Sequence, residues 1–279
     1  IGQSMTLGEM ASAGINTISH VPFYPDFAKE AAGKYGIRVC PYVNMWKAVT
    51  SSGDALLLNN PYWREVDVDT THHPEWLRID ENGKVKRPYD NANYHPGLQR
   101  SCTSHQSLTE AQIRGVLNHL SDGCGGVFID NADLADEFCW GEKYKLHDHL
   151  WPEPGGAGSN RRAREMVFKA IKQFGPDKVC IINTVASGDM RTVSDAYMLE
   201  SHIYSSERLR DAGNLVDRRA WFNPRRDWKH FQKERAEFAR AFESGRPICQ
   251  HYFQDPCSDD EAAFHSFVWS KLWHPRMIW

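Results

Sequence analysis

Short apolar runs of strand length alternate with amphipathic runs of helix length through most of this chain, and that alternation limits its fold more than any other feature. Residues 15–20, 37–44, 127–130, 179–183, 196–200 and 247–252 read as strands. A helix opens on Pro25 and closes at Gly36, with Phe27, Ala28, Ala31 and Ala32 as its apolar stripe. Ser107, with Glu110 three residues on, reads as the cap of another, buried through Leu108, Ala111, Val116, Leu117 and Leu120. The spacing predicts further helices over 160–174, buried through Val167, Ala170, Ile171 and Phe174, and over 227–242 and 260–272. Thr6 and Glu9 form a capping box for a short first helix that Gly14 ends.

Strands separated by helices imply a parallel sheet with helical crossovers, the α/β class. A chain of 279 residues suits a single catalytic (β/α)8 TIM barrel over 1–279. Six strands are found where a barrel has eight. Residues 1–3 read as the stump of a first strand and 277–279 as part of a last one, so the barrel is expected to be incomplete at its N-terminal strand. A doubly wound open sheet is the alternative. Against it, residues 19–24 after the first strand form no Gly-rich loop, and no GxxxxGK[ST] occurs.

The rhythm breaks over 46–99, after what would be strand three. Within it, 76–79 and 85–86 flank Asn82-Gly83, the signature of a tight hairpin. A stretch this long has a task or a fold of its own, and it is expected to be an inserted loop and hairpin over one mouth of the barrel.

A net charge of −3 without a basic run points away from nucleic acid. No apolar run reaches membrane-spanning length, so no membrane partner is expected. The expectation is a soluble protein, with a secreted or periplasmic setting favoured over the cytoplasm. None of the seven cysteines forms a CxxC pair, which argues against a zinc knuckle or a thioredoxin-like site. Cys40, Cys124 and Cys180 fall in apolar runs and read as buried thiols, while Cys102, Cys139 and Cys257 fall in loop-like surroundings that leave a single disulfide among them open. His72, His73, His95, His105, His147 and His149 fall in or near the long insertion and the loop after Asp130, without an HExxH motif. Neither a metal nor a cofactor is expected. The paired arginines at 161–162, 218–219 and 225–226 read as solvated surface.

In a barrel the active site gathers where strands end. That filter selects His20, Tyr24, Tyr42, Asn44, Trp46, Asp130, Asn131, Asp133, Asn183, Glu200, His202, Tyr204, His251 and Tyr252, a polar and aromatic set suited to a sugar. Trp140 is added as a stacking platform. Asp130 is the sharpest signal, because three apolar residues run straight into an acid, and an acid at the end of a buried strand is costly unless it is paired or used. Ala196–Glu200 repeats the arrangement. Two facing carboxylates suit glycosidic bond cleavage, one attacking the anomeric carbon and one protonating the leaving oxygen. No strand ends in lysine, which argues against a Schiff base.

Residues 126–133, GVFIDNAD, resemble the DG-[IV]-F-[IL]-D-N strand of barrel glycoside hydrolases. Residues 13–18 and 34–39 are similar to the AGINT and [KR]xxGI[RK]V runs of the same enzymes. The resemblance covers roughly two thirds of the chain and departs at Gly125, where the motif has Asp. In style it is nearest the dextranases and cycloisomaltooligosaccharide-forming enzymes. It implies Asp130 as strand-four nucleophile, Glu200 as strand-six acid/base, retention of configuration, and hydrolysis or transglycosylation of an oligosaccharide or polysaccharide. It also implies that Asn16 and His20 lie near strand two and Asn183 on strand five. The alternatives are a non-catalytic carbohydrate-binding barrel and a metal-dependent barrel hydrolase.

Overall fold

All six strand runs form strands in the computed structural model, which describes residues 5–21, 24–44, 47–49, 73–86, 98–130, 132, 134, 138–151, 159–184, 189–200, 243 and 248–251. They fall into two units. The larger holds 6–182 with 192–194, and the other holds 1–5, 183–191 and 195–279.

In the larger unit α1 (Leu7–Ser12) follows Thr6, whose side chain and that of Glu9 cap reciprocally as the sequence predicts. β1 (Thr17–Val21) leads to α2 (Pro25–Tyr35), and α2 stops at Gly36, which takes the left-handed conformation (φ 66°) that glycine adopts without strain. Ala28 and Ala31 are buried on α2, whereas Ala32 is exposed, so its apolar stripe is narrower than the sequence suggests. β2 (Arg38–Asn44) pairs parallel with β1, and the register slips between Ser19 and Val21 where Pro41, lacking an N–H, enters the ladder.

β5 (Gly126–Asp130) lies parallel to β2 on one side and to β6 (Val179–Asn183) on the other, giving the order β1-β2-β5-β6. Between β2 and β5 come β3 (Lys47–Val49) and β4 (Leu98–Arg100), an antiparallel pair, then α3 (Gln106–Ser121). α4 (Ser159–Phe174) links β5 to β6. The faces of α3 and α4 bury Leu108, Val116, Leu120, Val167 and Ile171, each contributing about 1.5–3 kcal/mol by area removed from water. Ala111, Leu117 and Ala170 are only half-buried, and Phe174 is exposed at the last turn of α4.

One helix start differs from its sequence signal. α3 begins two residues early, with His105 at the cap position and no side-chain cap bond, so Ser107 sits inside the helix. The Ser107 hydroxyl instead accepts from the Trp76 indole N–H at 2.7 Å. That bond ties the helix to residues 73–86, where Trp76 and Leu77 pack on Leu108. The predicted Asn82-Gly83 turn is present, with Ile79 bridged to Val85 and Gly83 at φ 79°. In the smaller unit β7 (Ala196–Glu200) and β8 (Ile248–His251) pair in parallel.

Cys40, Cys124 and Cys180 are buried and reduced, as predicted, but Cys102 and Cys139 are also reduced and buried rather than joined in a disulfide. Cys257, the expected helices over 227–242 and 260–272, and both chain ends lie outside the described residues. No described helix is long and apolar enough to cross a membrane.

Candidate active site

The four residues before Asp130 on β5 are buried, and Asp130 itself is half-buried where the strand ends. Its backbone is opposite Asn44, the last residue of β2, and Tyr42 is opposite Phe128. Side chains two apart on a strand share a face, so Asp130 shares a face with Phe128 and its partner Tyr42, two residues further along. The Tyr42 hydroxyl donates to Asp130 Oδ2 at 2.5 Å, the short length of a hydrogen bond to a carboxylate. The Tyr42 ring rests at a tilt near Phe128, 6.1 Å between centroids. Tyr42 was expected to bond a sugar hydroxyl; its hydroxyl engages the acid instead and fixes the direction of that carboxylate.

Two glycines set the start of this strand. A Cβ on Gly125 would stand 2.7 Å from the Arg38 Cβ, and one on Gly126 would run into the Val179 carbonyl oxygen. At Gly125, where the resembled motif has Asp, Arg38 occupies the space a side chain would need.

Of the other expected site residues, His20 lies on β1 and Asn44 ends β2. Tyr24 is exposed before α2, and Asn183 is half-buried at the end of β6. Glu200 ends β7 opposite His251, the last residue of β8. Of His20, Asn44, Glu200 and His251 the structure describes the backbone. Trp46, Asn131, Asp133, His202, Tyr204 and Tyr252 lie outside the described residues.

Trp140 belongs to the loop 138–151 that follows β5. It is 37% exposed with the Lys143 ammonium over its ring, and its backbone N–H donates to the Ile79 carbonyl at 2.9 Å. Phe138 (57%) and Tyr144 (37%) are exposed beside it in sequence. The Tyr144 hydroxyl donates to the Glu81 carbonyl, so the loop is tied to the hairpin at 79–85. Flat apolar faces held open to solvent offer stacking surface to a sugar ring. Sequence reasoning named Trp140 and missed Phe138 and Tyr144, whose signal was three aromatics within a polar stretch.

A second grouping was also missed. The donor atoms of Cys102, Cys139, His147 and His149 all lie within 4.8 Å of one another. The hydrogen bond with Cys102 holds the Cys139 thiol far below the usual thiol range, and the same pairing pushes Cys102 up. The four residues include no CxxC pair, and Cys102 meets Cys139, His147 and His149 only through folding.

No family model matches the chain, and no curated protein matches it in sequence. Solved structures do match it. The glycoside hydrolase domain of PelA from Pseudomonas aeruginosa is 13% identical, with 99% of this chain and 89% of that one covered at a TM-score of 0.58. The trehalose-6-phosphate hydrolase TreA of Bacillus licheniformis is 9% identical, covering 87% of this chain and 51% of that one at 0.51. A maltogenic α-amylase, AmyB of Thermotoga neapolitana, is 17% identical over 87% and 52% at 0.50. At such identities the likeness concerns fold, and together with the parallel strands and helical crossovers it fits an α/β barrel of the kind on which glycoside hydrolases are built.

Proposed function

We propose that this protein is a glycoside hydrolase in which Asp130 is the nucleophile and Glu200 the acid/base, with retention of configuration. The observation that carries the reading is Asp130 itself, an acid at the carboxyl end of a buried parallel strand with its carboxylate aimed by the Tyr42 hydroxyl. Strand ends of this kind are where α/β barrels place their chemistry. The structures that share the fold are described as glycoside hydrolases, a support by analogy.

The Asp130 carboxylate attacks the anomeric carbon as Glu200 gives its proton to the leaving oxygen, and the glycosidic bond breaks. The ester so formed is opened by water, whose proton returns to Glu200. A sugar hydroxyl in place of that water gives transglycosylation. Phe138 and Trp140 supply stacking surface for an oligosaccharide or polysaccharide. The narrower likeness to dextranases rests on residues 13–18, 34–39 and 126–133 alone.

The test is a glycan panel read by reducing ends, run with wild type, Asp130→Asn and Glu200→Gln of verified fold. Wild type is expected to cleave at least one glycan, and each variant to lose at least ~100-fold in kcat. Tyr42→Phe, which keeps the ring and removes the donor, is expected to lose about tenfold with little change in KM. A wild type that binds a glycan without cleaving any would favour the carbohydrate-binding alternative. Full activity in Asp130→Asn would exclude the assignment.

A further inference from the structure

We propose that Cys102, Cys139, His147 and His149 form a closed, structural site for one divalent transition-metal ion of the zinc type. Two thiolates and two imidazoles are the donor set that selects zinc, and four protein ligands leave no position for substrate. Zinc bonds of roughly 2.0–2.3 Å put tetrahedral donors ~3.3–3.8 Å apart. Here Cys139 Sγ is 3.4 Å from His147 Nε2, and the His147 and His149 Nε2 atoms are 3.1 Å apart. The two imidazoles thus turn the same nitrogen toward one point, with the two sulfurs completing the cluster.

The surroundings match a metal site rather than a chance meeting of polar groups. The Ile79 N–H points at Cys139 Sγ, 3.4 Å away. The Glu142 carboxylate is 3.6 Å from His149 Nδ1, the nitrogen facing away from the cluster, and accepts from the His149 backbone N–H at 2.9 Å. A carboxylate behind an imidazole is the usual outer support of a metal-bound histidine. Gly141 lets the His147 ring lie against the backbone, where a Cβ would collide with it.

Burial separates this reading from two others. Cys102 is 0% exposed, Cys139 5% and His147 8%, and the His149 side chain 2%. A Cys–His pair working on a substrate needs access that this site lacks. A disulfide would use the two sulfurs and leave two converging imidazoles without a role.

The site has mechanical work to do. Residues 138–151 contain turns but neither helix nor regular strand. Cys139, His147 and His149 lie in that loop, and Cys102 lies just past the bridge from Leu77 to Ser101. A metal joining them clips the loop to the hairpin segment, alongside the Leu150 N–H to Ser104 carbonyl bond. The same loop displays Trp140 and Phe138, so the clip fixes the aromatic surface that follows Asp130. The metal assignment stands on its own ligands, whether or not the chain cleaves glycans.

The direct test counts metal in the full-length chain, purified reduced and without chelator. About one zinc per chain is expected by plasma mass spectrometry, and Cys139→Ser and His149→Ala should each lose it. Those variants could fail to fold, so cobalt(II) exchanged into the wild type gives an independent reading. The visible bands of tetrahedral cobalt, with thiolate-to-metal absorption in the near ultraviolet, are expected. The proposal is overturned by wild type holding well under one metal and taking up no zinc or cobalt on dialysis. It is equally overturned by Cys102 and Cys139 recovered as a disulfide, or by folded Cys139→Ser retaining full zinc.

Discussion

Asp130 was legible because burial and charge conflict there within a five-residue window, and sequence displays such conflicts plainly. Tyr42 was legible as a strand-end residue but not as the partner of Asp130, since that bond depends on the register between strands 88 positions apart. Ser107 shows the opposite failure. Its capping signal is real, yet Trp76 competes for the same hydroxyl, and a tertiary bond overrode a local one. His119 carries a consequence for pH. It is 1% exposed on α3, and burial lowers its pKa from 6.5 to about 4, against a smaller opposing pull from Asp122. The unfolded chain therefore takes up this proton near pH 6.5, and the folded one only near 4. The stabilising effect of its neutral form is complete above about pH 7 and is lost as pH falls toward 4, a total of about 3 kcal/mol. Denaturation of wild type and His119→Gln across pH 4–7.5 isolates this contribution. The gap between the two curves is expected to change over that window and to stay flat above it.

The elements were read well where periodicity alone decides them. α2 and β5 and their neighbours occupy nearly the expected spans, because apolar spacing and glycine or proline punctuation agree there. The loop 138–151 could not be read this way. Its order comes from bonds to residues 79, 81 and 104 and from the Cys/His cluster, none of which leaves a periodic trace. Glycine positions separate the two kinds of constraint. Gly33 sits in the last turn of α2 with open space where a Cβ would go, whereas a Cβ on Gly126 would meet the backbone of β6. Gly33→Ala is accordingly expected to stabilise by up to ~1 kcal/mol. Gly126→Ala is expected to cost more than ~3 kcal/mol by prising β5 from β6. Urea midpoints of the two variants check both signs in one experiment.

For the whole molecule, alternating strands and helices gave the α/β class and six strand positions, and the shared fold with the PelA glycoside hydrolase domain supports the barrel. What sequence could not supply was the meeting of distant donors, such as Cys102 with His149, because spacing rules recognise only ligands close in the chain. The proposed reaction requires Asp130 to form a covalent bond to sugar. Glu200→Gln, incubated with a substrate whose leaving group needs no acid, should accumulate the glycosyl-enzyme, since formation is spared and hydrolysis is slowed. Peptide mass mapping of that variant is the decisive measurement. One added glycosyl unit is expected on the peptide carrying Asp130, absent when Asp130 is changed to Asn. A sugar adduct on another carboxylate, or unimpaired turnover by Asp130→Asn, would contradict it.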